Sequence, residues 1–109
     1  MNTHRNRIDL SGAELRGADL SRLSLVGVQI RDADLTGADL TNCDLRSAEL
    51  NDSDMTDSDM TDSDMRNADL RGAWLVGAYM SNKLGGADLD GATIDDGSGG
   101  FWVIACEKE

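Results

Sequence analysis

The chain has 109 residues, enough for one domain and too few for two of ordinary size. Its formal net charge of −11 divides into +2 over residues 1–31, −9 over 32–66 and −4 over the remainder, and the acidic middle repels phosphates, which argues against direct nucleic-acid binding. Hydrophobic residues make up 39% of the chain, with four aromatics and no proline, lean for a conventional core yet too patterned for a disordered acidic chain.

In chain order, residues 1–7 (MNTHRNR) form a basic leader without the apolar run of a signal peptide behind it. No segment approaches the roughly 20 apolar residues of a membrane span, so the expectation is a soluble, cytoplasmic protein without membrane contact. Cys43 and Cys106 make no CxxC motif, so neither a zinc site nor a disulfide framework is expected, and a reduced compartment is the simpler reading.

From Leu10 through Met80 a large apolar residue recurs at every fifth position, and after one four-residue step the series resumes at Leu84, Leu89 and Ile94. A second row lies two residues earlier in each unit and is mostly small: ten alanines, Ser53, Ser58, Ser63 and Cys43, with Ile8, Leu23, Val28 and Asn82 as larger members. Five residues advance about 500° on an α-helix, so these rows cannot form one helical stripe. On a straight strand they would alternate between faces. Only a chain that changes direction once per unit keeps them on one side. Glycine stands two after the large residue in eight units, including Gly12, Gly17 and Gly72, and Asn or Asp fills most of the others, residues that tolerate turn geometry. The expectation is a solenoid with apolar rows inside, coils stacked at about 4.8 Å.

Units such as AELRG, ADLSR, ADLTG and ADLTN resemble the A(D/N)LXX signature of pentapeptide-repeat proteins, over residues 8–96. The resemblance implies an all-β fold, a right-handed quadrilateral β-helix with four pentads per coil and about four and a half coils. Residues 1–7 are then a leader, and residues 97–109 a glycine hinge and apolar tail.

Catalysis finds little support: the one histidine, His4, lies in the leader, and no nucleophile, base and orienting group can be assembled around it. No enzyme activity and no cofactor are expected. The run DSDMTDSDM lacks the spacing of an EF-hand or of a calcium-binding β-roll, and Asp54, Asp59 and Asp64 fall on three different faces, so no metal site is expected. Three methionines over Ser53, Ser58 and Ser63 suggest that the crowded acidic middle is the softest part of the rod.

With four pentads per coil, Asp19, Asp39, Asp59 and Tyr79 share one column, and Glu14, Asp34, Asp54 and Trp74 the next. Either the two aromatics anchor a partner or the tail folds back over them. Phe101, Trp102, Val103 and Ile104 cap the last coil or pair two rods as a homodimer through their C-terminal ends. The expected function is a non-catalytic protein-protein interaction or scaffold module, with a protein partner still to be identified. The resemblance also raises a DNA mimic that binds DNA gyrase, and a third reading is a subunit or fragment of a larger assembly.

Overall fold

The computed structural model describes residues 8–95 and 98–104, with Phe101 and Trp102 described by their backbone alone. The leader and residues 105–109 lie outside the described residues.

Each unit is a short extended segment followed by a corner. In a typical one the N–H of Ala18 donates to the C=O of Leu15 at 3.1 Å, closing a four-residue turn whose third residue, Gly17, is left-handed at φ 66°. The same left-handed position recurs along the chain on glycine, on six Asp or Asn residues, and on Arg22 and Ser47. An L side chain is strained in this conformation, which explains why Gly, Asp and Asn dominate it. At Gly72 space adds to conformation, because Asp52 Oδ1 of the preceding coil occupies the place a Cβ would take.

Four corners make one coil. Parallel bridges join residues twenty apart, from Asp9–Gln29 to Asp59–Tyr79, and nineteen apart thereafter, at Asp64–Lys83, Asp69–Asp88 and Trp74–Thr93. The four-residue step is therefore absorbed at a single corner: Leu84 packs partly buried against the core, and the Leu70 N–H donates to the Asp88 C=O at 2.7 Å. The missing residue is the left-handed one, since neither Ser81 nor Asn82 has positive φ. This corrects the inward row at that corner. Ser81 is the buried residue, with its hydroxyl on the Ser63 carbonyl, and Asn82 is exposed.

The central row from Ile30 to Leu70 is fully buried, lined by the small row from Val28 to Ala73. The serines in it are not left wanting. Ser53 Oγ accepts from the Ala33 N–H at 3.1 Å and donates to the Ile30 C=O at 2.6 Å, splinting the corner of the coil before it. Ser63 does the same for Cys43 and Leu40, while Ser58 Oγ donates to the Met55 C=O of its own corner at 2.8 Å. Each of these three hydroxyls has a partner, which removes one ground for expecting a soft middle.

Strand β1 (Trp74–Leu75) pairs parallel with β2 (Thr93–Asp95), and β3 (Phe101–Val103) turns back antiparallel onto β2. The tail thus closes the strand edge of its own last coil on one side, and the Ile104 N–H extends this pairing to the Ala92 C=O at 2.8 Å. In the first coil Ile8 and Leu23 are about half exposed.

Candidate functional site

The stacking defines four outward columns. The first face runs Asp9, Gln29, Glu49, Asp69, Asp88; the second Glu14, Asp34, Asp54, Trp74, Thr93; the third Asp19, Asp39, Asp59, Tyr79; the fourth Ser24, Asp44, Asp64, Lys83. Both acidic columns expected from the sequence are therefore brought together, the third ending on Tyr79 and the second reaching Trp74 before Thr93.

The aspartates have a local duty. Asp39 Oδ1 accepts from both the N–H and the hydroxyl of Thr41, at 3.0 and 2.7 Å, and Asp19, Asp34, Asp54 and Asp59 do the same with the Ser or Thr two residues on. Each carboxylate ties down the next corner in an Asx turn. The Ser21 hydroxyl and N–H hold Asp19 below the usual carboxylate range, and Thr36 does so for Asp34, with Arg16 adding to it.

What separates the faces is the residue after each leucine or methionine. On the corners bounding the first and fourth faces it is often arginine: Arg46 pairs with Asp44 and Arg71 with Asp69, each at 2.7 Å, Arg66 with Asp64, and Arg31 lies 3.7 Å from Glu49. The hydrogen-bonded Arg66 guanidinium draws the Asp64 pKa down to about 2, and Asp44 and Asp69 are lowered in the same way by Arg46 and Arg71. Along the third face the same position is Ser21, Thr41 or Thr61, and after Asp34 and Asp54 it is Thr36 or Thr56. Among the described residues, the only ion pair on the second or third face is Arg16–Asp34 at 3.2 Å. The sequence reading missed this sorting of arginines, although its signal was present in the twenty-residue repeat of Arg46 and Arg66.

Both aromatics are exposed, Trp74 at 40% and Tyr79 at 68%, while β3 runs antiparallel along β2. Val103 is exposed and Ile104 half-buried against the core. No group of three or more His, Cys, Asp or Glu among the described residues is placed to hold a metal ion, and Asp54, Asp59 and Asp64 stand on separate faces. A shallow cleft of about 410 Å³, lined by Val26, Gly27, Ser47 and Glu49, offers no histidine or lysine beside its serine. Cys43 is buried and free, its thiol pushed up by desolvation.

The sequence profile of pentapeptide repeats matches residues 6–42, 24–62 and 43–82. The chain is a pentapeptide-repeat protein. Solved structures of the family share its right-handed quadrilateral β-helix. One is alr5209 of Nostoc Pcc 7120, at 34% identity and TM-score 0.65 over 94% of this chain and 78% of that one. Another is Rfr23 of the cyanobacterium Cyanothece 51142, at 29% identity and TM-score 0.71, covering 81% of this chain and 57% of that one. QnrB1, a plasmid-mediated fluoroquinolone resistance protein, shares the fold at 23% identity and TM-score 0.64, over 80% of this chain and 47% of that one. This pentapeptide-repeat chain thus spans little more than half of Rfr23 and less than half of QnrB1. No curated protein matches it.

Proposed function

We propose that this pentapeptide-repeat protein is a non-catalytic interaction module, soluble and cytoplasmic, whose second and third faces receive a basic protein partner. The observation that carries this reading is the sorting of charge. Arginines pair with acids on the first and fourth faces, whereas Asp19, Asp39, Asp59 and Asp54 have no ion-pair partner among the described residues and lead to exposed Trp74 and Tyr79. Such a surface attracts cations over a distance set by salt and adds aromatic contact that salt does not screen. The buried free Cys43 suits a reduced compartment.

The test is quantitative capture with the intact chain and face-directed variants. Asp39→Asn/Asp59→Asn and Tyr79→Ala are expected to lose the captured protein, and Glu49→Gln on the first face to keep it. Equal retention by all variants would remove the assignment.

DNA mimicry toward gyrase is the second reading, favoured by the same unneutralised columns and by the fold shared with QnrB1. Against it, carboxylates repeat at about 4.8 Å along the stack while phosphates rise about 3.4 Å along one DNA strand. A supercoiling assay with purified gyrase separates the two. Inhibition at submicromolar protein, relieved by Asp39→Lys/Asp59→Lys, would put the mimic first, and no effect at tens of micromolar keeps the general interaction module.

A further inference from the structure

Exposed apolar surface gathers where the second and third faces approach the C-terminal end. Trp74 and Tyr79 stand out from neighbouring faces of one coil, half-buried Val76 lies on the corner between them, and Val103, 60% exposed, follows Thr93 above Trp74. Contiguous apolar patches on an otherwise charged surface mark interaction sites. Directly below Tyr79 the third face continues as Asp59, Asp39 and Asp19, each with one oxygen engaged by its Thr or Ser and the other without a partner among the described residues. Thr41 and Thr61 border this strip on one side and Thr36 and Thr56 on the other, so no side chain of the middle coils brings a cation to it.

The repeat also selects the conformation of what lies on it. Along the solenoid axis the carboxylates recur about every 4.8 Å. An α-helix laid along that axis rises about 1.5 Å per residue, so side chains at i, i+3, i+7 and i+10 stay within about 1 Å of four successive coils. An extended strand returns to one face about every 6.8 Å, so it falls between coils after one step and meets only every third coil. A polyproline helix, at about 9.3 Å per turn, meets alternate coils only.

We propose that the third face docks a basic amphipathic α-helix parallel to the solenoid axis, its lysines or arginines over Asp19, Asp39 and Asp59 and an aliphatic residue against Tyr79 and its neighbours. This rests on the reading of these faces as the interaction surface and adds the conformation and residue spacing of the partner.

The experiment uses the full chain and three labelled, alanine-based peptides. One carries lysines at i, i+3 and i+7 with leucine at i+10, the second has the same composition with the lysines spread around the helix, and the third is the first peptide interrupted by a central proline. Fluorescence anisotropy is expected to show the striped peptide binding at least about tenfold tighter than both controls, with the difference lost in Asp39→Asn/Asp59→Asn and in Tyr79→Ala. Bound striped peptide should also gain helical circular dichroism. Equal affinity for all three peptides, still reduced by Asp39→Asn/Asp59→Asn, overturns the helix while leaving the acidic face as the interaction surface. If Glu49→Gln weakens binding as much as the third-face variants, or if no peptide binds at low salt, both readings fall.

Discussion

At Asp39 one carboxylate oxygen holds the Thr41 corner while the charge it carries faces solvent beside Asp19 and Asp59. Structural role and electrostatic role therefore separate by substitution. Asn keeps the acceptor and removes the charge, so Asp39→Asn is expected to leave the thermal midpoint unchanged or slightly raised at low salt, as repulsion along the column falls. Ala removes both, and Asp39→Ala is expected to cost about 1 kcal/mol in urea unfolding. If Asn proved as damaging as Ala, the charge rather than the turn hydrogen bond would be holding the corner. The recurrence of Asp-Leu-Thr and Asp-Met-Thr carried this information, because the donor always lies two residues after the acid.

Corners differ in how they are closed, and the serines show it. Ser53 Oγ is the hydrogen-bond partner of a buried N–H and a buried C=O in the preceding coil, whereas the Met55 C=O that Ser58 Oγ reaches also accepts the Ser58 N–H at 3.1 Å. Ser53→Ala is expected to cost about 1–3 kcal/mol by orphaning two backbone groups, and Ser58→Ala well under half as much. Equal losses in denaturant unfolding would show that the splint contributes nothing. The period made the coil, its columns and the continued stacking beyond Met80 legible, since a fivefold apolar repeat admits few chain paths. Serine splints were not legible, because Ser53 and Ser58 occupy identical places in the unit and differ only in the coil before them. The choice of Ser81 over Asn82 likewise depends on which residue a shortened corner drops, a matter of local backbone geometry. The path of β3 followed from no local pattern, because its partner lies beyond a glycine-rich turn and pairs in the opposite direction.

Across the whole molecule the two halves of the surface respond differently to conditions. On the fourth face Arg66 holds Asp64 at a pKa of about 2, below the unfolded value of about 3.9. A depressed folded pKa means that this contribution to stability is fully present above the unfolded value and is lost as pH falls through the folded one. The thermal midpoint is therefore expected to fall between about pH 4 and pH 2, and an Arg46→Gln/Arg66→Gln variant to lose part of that slope. An unchanged slope in the variant would show that the arginine ladder does not stabilise the fold. The arginine sorting also leaves the third face as the acidic one, and this is where the functional account is most exposed to test. A photo-crosslinking benzophenone amino acid placed at position 79 on the third face, where it exchanges one aromatic for another and leaves the carboxylates in place, or at position 29 on the first face, reports directly which side meets the partner. Partner adducts are expected from position 79, weakening with added salt, and few from position 29. Adducts of equal yield from both positions, or stronger ones from position 29, would contradict the assignment.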